Sequence, residues 1–213
     1  MDTFEPNLKN RMRYCESLNV NRWFQTEFDA HIDTTMPRMN PYPYGVGAED
    51  GSFGFHEHPL NPGQGAVGGK ASATNSHAIQ LVKLDTFAEE RGWFESRPNI
   101  AILKVDVEGF EPAVFAGAEK LLRSKMVRNI FMEISTRNDV EAKQNLPMLN
   151  LLAFDAGYEL FSVGGWSGPT GKLLNLPKDE IFVEKVTALS KAEGAKQLNL
   201  WWKSPDEMKA VAS

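Results

Sequence analysis

The chain reads as an α/β protein built on a mostly parallel sheet with an antiparallel edge. Three observations predict this. The stretch "IAILKVDVEGFEPAVFAGAEKLL" (100–122) is a short apolar run, a tight acidic turn, and then apolar residues at helical spacing. A second apolar run, "VRNIFMEI" (127–134), follows as the next strand of a β-α-β unit. Further on, "YELFSV" and "DEIFVEKV" are strand-like segments suited to an antiparallel edge pair.

The elements follow in order. "MDTFEPNLKNRMRYCESLNVN" looks like the end of a strand running straight into a helix. Pro6 stands at the junction, Asn7 is the candidate cap, and Leu8, Met12, Cys15 and Leu18 form an apolar stripe. Strands average about 5–6 residues, yet only Met1 to Phe4 precede the junction, so the first expected element is cut short. Residues 22–44, with three prolines and no sustained period, are expected to be mostly loop. "YPYGVGAED" predicts a strand ending near Gly45 to Gly47, and "GSFGFHEH" a second short strand. "PLNPGQGAVGGKASATNS" is expected as a glycine-rich loop, "HAIQLVKL" as a strand, and "DTFAEERGW" as a short helix capped by Asp85.

Ile100 to Val107 is apolar except at Lys104 and Asp106, which predicts a central parallel strand covered on both faces. Glu108 and Gly109 make the turn, Pro112 suits a helix's first turn, and Val114, Phe115, Ala118, Leu121 and Leu122 mark one helical face. Ligands on such sheets gather at the carboxyl ends of strands, which is where Asp106 and Glu108 fall. A plainer reading stands beside this. Glu108 and Glu111 also complement the positive end of the helix, worth about 0.3–1 kcal/mol each without any function. Asn145 is the expected cap of a helix that Gly157 ends, and a strand follows at Tyr158 to Val163. From Thr187 the chain is polar except for "LNLWWK", whose Trp201 and Trp202 are expected to pack back on the body. One domain over 1–186 with a tail at 187–213 is the resulting expectation.

At 213 residues, 42% apolar and 24% charged, the chain can bury a core of ordinary size. Its net charge of −5 and lack of any basic block exclude nucleic acid as the favoured partner. The single cysteine, Cys15, excludes an internal disulfide framework and fits a reducing compartment. No run approaches the ~18 apolar residues of a membrane span, so no membrane partner is expected. A cytoplasmic location is the expectation, with a targeting or anchoring segment upstream of Met1 left open. The oligomeric state is not legible.

Several motifs fall short of a site. "GVGAEDG" would place the last glycine of a dinucleotide fingerprint on Asp50 and has no helix after it. His56 and His58 share one side of a strand but lack a third ligand, so no metal is expected. There is no P-loop and no nucleophile elbow.

Four segments in order resemble the FkbM-type methyltransferases, a branch of the S-adenosylmethionine-dependent O-methyltransferases. "TFEPNLKNRMRYCESLNVN" is similar to that family's second strand and helix, and "YGVGAEDGSFGF" with "NPGQGAV" to its third strand, hairpin and N-x-G loop. "LVKLDTFAEERG" is similar to its LDxF helix start, and "ILKVDVEGFEPAVFAGAEKLL" through "IFMEI" to its most specific signature. The resemblance covers roughly residues 3–163.

The resemblance implies a Rossmann-like class I methyltransferase sheet, S-adenosylmethionine as cofactor, and a small-molecule, sugar or lipid hydroxyl as methyl acceptor. It gives Glu5 the ribose hydroxyls, which a carboxylate can take in pairs. Asp106 falls beside the methyl-transfer site, as cofactor contact, substrate anchor, metal ligand or general base, with Glu108 and Glu133 behind it. At the adenine side Ala48 replaces the family's acid, and Glu49 or Asp50 is the expected substitute. Asp106, Glu5 and Glu133 are expected to cluster at the carboxyl edge of one sheet.

The family's first strand, glycine-rich loop and first helix have no counterpart in these residues. An N-terminally truncated domain is therefore expected, with weak or no cofactor binding and no methyl transfer by this chain alone. A non-catalytic remnant serving as a binding module is the rival reading. A dehydrogenase is disfavoured by the absent nucleotide fingerprint.

Overall fold

The acidic turn in the middle of the chain joins a strand to a helix. The computed structural model describes residues 1–21, 23, 39–57, 65–70, 78–135, 139–162, 172–173 and 197–205. They form two compact units, Met1–Val82 and Lys83–Ser213.

In the first unit, β1 (Asp2–Phe4) leads to α1 (Leu8–Val20). Asn7 caps that helix as expected, its Oδ1 accepting N–H groups from Lys9 at 2.9 Å and Asn10 at 3.3 Å. The apolar stripe is narrower than expected: Leu18 is buried, whereas Leu8 and Met12 are exposed. β1 pairs in parallel with β2 (Asn40–Tyr42), and Phe4 stacks on Tyr42. Pro43 separates β2 from β3 (Tyr44–Val46), dividing the single strand expected there.

A four-stranded sheet runs in the order β3, β6 (Ala78–Val82), β4 (Gly51–Glu57), β5 (Gly65–Lys70). Only its β3–β6 pair is parallel. The glycine-rich segment expected to be loop therefore contains a strand, β5. Gly65 lets it lie close against β4, since a Cβ there would collide with the Phe55 ring. His58, most of 22–44 and most of that glycine-rich segment lie outside the described residues.

In the second unit, α2 (Leu84–Glu90) and α3 (Trp93–Ser96) precede β7 (Ile100–Val105). The helical face read from the sequence is buried at Val114, Phe115, Ala118, Leu121 and Leu122. It is carried by two short helices, α4 (Glu111–Ala116) and α5 (Glu119–Arg123). The chain continues through β8 (Val127–Ser135), α6 (Asp139–Gln144), α7 (Leu146–Asn150) and a π-helical turn, Leu151–Asp155, that Gly157 ends at φ 66°. Asn145 makes no side-chain cap, because its backbone is already helical. The sheet is completed by β9 (Glu159–Ser162), β10 (Lys172–Leu173) and β11 (Gln197–Lys203).

Two expectations about this sheet need correction. Its order is β10-β9-β11-β8-β7, and only β7–β8 is parallel, so the protein is α/β with mixed rather than mostly parallel sheets. The cause is β11. The apolar stretch of the expected tail does pack back on the body, but as a strand: Leu198, Leu200 and Trp202 alternate toward the buried face, and this pattern inserts antiparallel between β8 and β9. The second correction concerns β7, expected in the centre and covered on both faces. Among the described residues it pairs with β8 alone, and Ile102 is 60% exposed. The segment "DEIFVEKV" lies outside the described residues.

The core of this unit is the other face, where Val105, Ile130, Met132, Ile134, Leu160, Leu200 and Trp202 are buried with the apolar sides of α4, α5 and α7. Tyr158 is buried there too, its hydroxyl donating to Val127 O at 2.9 Å, and burial raises its pKa above the ordinary phenol value.

Candidate active site

Strand pairing sets the geometry. Val105 of β7 lies opposite Met132 of β8 in parallel register. The next residue on each strand is Asp106 and Glu133, so both acids stand at the same, carboxyl edge. On β11, Asn199 is the register partner of Glu133, and Trp201 that of Phe131. Alternation then puts Ile102, Lys104, Phe131, Glu133, Asn199 and Trp201 on the open face of the sheet. A cleft of about 340 Å³ opens there, lined chiefly by Ile102, Lys104, Asp106, Phe131, Glu133 and Asn199.

The turn after β7 is fastened from below. Glu111 is only 2% exposed, and its Oε1 accepts the Val107 N–H at 3.0 Å. Burial raises its pKa, opposed by hydrogen bonds from its own backbone and those of Val107 and Gly109. The carboxylate thus ties the turn together. Glu108 and Gly109 both adopt left-handed backbone, at φ 54° and 99°. Glycine does this freely, whereas Glu108 is held there against its preference. Glu108 consequently projects at the exposed rim.

Charge is concentrated here. Lys104 Nζ reaches Asp106 Oδ2 at 3.0 Å, an exposed pair of small energetic weight. Burial raises the Glu133 pKa, and repulsion from Asp106, Glu108 and Glu111 raises it further, with Lys104 opposing. A half-buried carboxylate that holds its proton more tightly than usual is suited to accept one from a bound hydroxyl. Among the described residues, no three His, Cys, Asp or Glu side chains are placed to hold a metal ion.

The remaining acids belong to the other unit. Glu5 follows β1 and is half-buried. Its Oε1 accepts the Asn7 N–H at 2.8 Å, which fixes the carboxylate at the start of α1. Oε2 receives no donor among the described residues, and Oε1 keeps a second lone pair beside the Asn7 N–H, so both oxygens can still accept hydroxyls such as the vicinal pair of a ribose. Glu49 and Asp50 are exposed in the turn between β3 and β4. A Cβ on Gly45 would meet Pro6 at 3.5 Å, so β3 passes close beside the residue after Glu5.

The structure brings Asp106 and Glu133 to one carboxyl edge, with Glu108 on the turn beyond, but Glu5 follows β1, which pairs with β2 in a separate two-stranded sheet, so the expected cluster of Asp106, Glu5 and Glu133 on one sheet is not found. Sequence reasoning missed the part of Glu111, which it treated only as a complement to the helix dipole, and it missed Asn199. The alternation in "QLNLWWK" was the available signal for the latter. No helix among the described residues is long and apolar enough to cross a membrane.

Neither a curated protein nor a solved structure matches the chain. A family model does: the methyltransferase FkbM domain matches residues 3–160, from the strand before Glu5 through Asp106 and Glu133 into β9. With most of its length matched, the chain belongs to the FkbM methyltransferase domain family.

Proposed function

We propose that the chain is the domain of an S-adenosylmethionine-dependent O-methyltransferase of Rossmann-like class I type, acting on a hydroxyl of a small molecule, sugar or lipid. The observation that carries the reading is the placement of Asp106 and Glu133 at one carboxyl edge, over a cleft, within the family-matched residues. When bound, the cofactor supplies an electrophilic methyl group on a sulfonium. Glu5 would hold its ribose hydroxyls, and Glu49 or Asp50 would take the adenine side. Asp106, fixed by Lys104, orients the acceptor hydroxyl, and Glu133 takes the proton that the oxygen loses. Glu108 contributes negative charge at the rim. The edge of β7, unpaired on one side among the described residues, favours a second reading, a binding module without catalysis.

Saturation-transfer NMR with S-adenosylhomocysteine separates the two. Weak binding at the ribose protons, displaced by adenosine and lost in Glu5→Ala, is expected. Binding that is indifferent to Glu5→Ala would sink the methyl-transfer reading and leave the binding module.

A further inference from the structure

We propose that the edge of β7 binds a second copy of this chain, β7 against β7 in antiparallel pairing about a two-fold axis at Ile102, so that the sheets of two copies become one. The inference stands apart from the methyl-transfer reading. The strand's length, its central residue and the charge at its two ends carry it.

Among the described residues β7 pairs with β8 alone, over its full six residues from Ile100 to Val105. An edge of that length is usually guarded by a proline or an outlying charge. No proline stands within this one. Its only charged side chain, Lys104, is drawn along its own strand to Asp106 Oδ2 at 3.0 Å. The opposite edge of the sheet differs. There β10 is two residues long, Lys172–Leu173, too short to template a further strand. Pairing through β7 therefore closes at two copies.

Ile102 fixes the register. It is 60% exposed and stands near the middle of the strand. An axis at this residue sets Ile102 against its own copy, with Cβ atoms about 4.5–5.5 Å apart. The apolar surface that each chain exposes is then covered by the same residue of the other, as an isologous interface requires. The same axis sets Ala101 opposite Leu103 and Ile100 opposite Lys104. An axis at Leu103 would instead oppose Ile102 to Lys104, and an axis at Lys104 would oppose two like charges, which is unfavourable.

Charge fixes the direction. Asp106 and Glu108 follow the carboxyl end of β7, with Glu133 beside them on β8. Arg97 precedes its amino end, and Arg128 stands at the start of β8, with Glu95 the one acid between Trp93 and Ile100. Both guanidinium groups hydrogen-bond to neutral acceptors, Arg97 to Ser124 O at 2.9 Å and Arg128 to Asn99 Oδ1 at 2.9 Å, so these bonds do not neutralise them. Antiparallel pairing lays the acidic end of one β7 beside the arginine end of the other. Parallel pairing would lay like on like.

The test is sedimentation velocity of the full chain across a concentration series, with the register read by cysteine cross-linking. Monomer and dimer are expected, with no larger species. Ile102→Lys sets two like charges against each other and should weaken the dimer about tenfold or more. Ile102 is exposed, and an unchanged thermal melt confirms that the variant folds. In a Cys15→Ser background, Ile102→Cys should form a disulfide-linked dimer under mild oxidation. Lys104→Cys should not, because the two copies of that residue lie about 13 Å apart along the pair, beyond the ~7 Å that a disulfide spans. A monomer at every concentration overturns the proposal. So does growth past the dimer, or a link at residue 104 as ready as that at residue 102.

Discussion

Asp85 closes the start of a helix to which it does not belong: its Oδ1 accepts the Leu121 N–H at 2.8 Å, and its Oδ2 the Lys120 N–H at 2.9 Å. The Asp85 N–H in turn donates to Gly117 O at 2.9 Å. Asp85 was expected to cap its own helix, but it sits within the first turn of α2 and satisfies the unpaired donors of α5 instead. The break between α4 and α5 at Gly117 and Ala118 is therefore bridged by a side chain 35 residues from Lys120.

Asp85→Ala removes both acceptors and should destabilise the chain by about 1–2 kcal/mol, the range of a helix cap with its dipole interaction. Asp85→Asn keeps one acceptor oxygen and should lose about half as much by the same reasoning. Urea unfolding measures both. A midpoint unchanged in Asp85→Ala would mean that water replaces the cap without loss.

Glu133 makes stability depend on pH with a definite sign. Its pKa in the folded chain lies above the ordinary 4.5, through burial first and the neighbouring carboxylates second. Glu111 is shifted in the same direction, also by burial first. The folded state therefore binds more protons than the unfolded state above pH 4.5. Both groups contribute stability that is fully present below that value and is lost as pH rises through the folded pKa. Glu133→Gln should thus raise the urea midpoint at pH 7, and its advantage should vanish below about pH 4. An advantage that is the same at both pH values would show that neither burial nor the neighbouring carboxylates raise the Glu133 pKa.

How much of this was legible in the sequence depended on how local the cause was. Asn7 as a cap, Pro112 in a first turn and Gly109 at positive φ each follow from one residue's backbone chemistry, and each is found. Asp106 and Glu133 followed from two apolar runs and the rule for strand ends. The neighbour of a strand is not a local property. "IAILKV" reads the same whether it has one partner or two, so the edge position of β7 could not be read from it. The same applies to β11, where Trp202 is buried only because β8 and β9 flank it. Asp85 failed for a related reason, since its partner α5 lies far along the chain.

The edge of β7 predicts behaviour in solution. Among the described residues only β8 uses its hydrogen-bonding groups, and the exposed Ile102 stands on it. Such an edge pairs readily with another chain. The isolated 213 residues are expected to associate as concentration rises, and Ile102→Lys, which places a charge on the edge, should delay this. Light scattering across a concentration series is the measurement. A monodisperse wild-type monomer that melts cooperatively above ~65 °C, the upper end for mesophile domains, would contradict the expectation.

The last prediction concerns cofactor affinity. Residues 1–213 are expected to bind S-adenosylmethionine more weakly than micromolar and to transfer no methyl group by themselves. Glu5 offers a single carboxylate, whose Oε1 already accepts the Asn7 N–H at 2.8 Å. A hydrogen bond to a charged group is worth about 1.5–3 kcal/mol, while micromolar binding requires about 8.2 kcal/mol. Stacking and adenine contacts near Glu49 and Asp50 narrow that gap without closing it. Isothermal calorimetry should therefore show little or no heat at micromolar cofactor, and Glu5→Ala should abolish whatever weak binding NMR detects. Micromolar affinity for residues 1–213, retained in Glu5→Ala, would mean that the methionine end is held by residues given no part in it here, and that the ribose assignment to Glu5 is wrong.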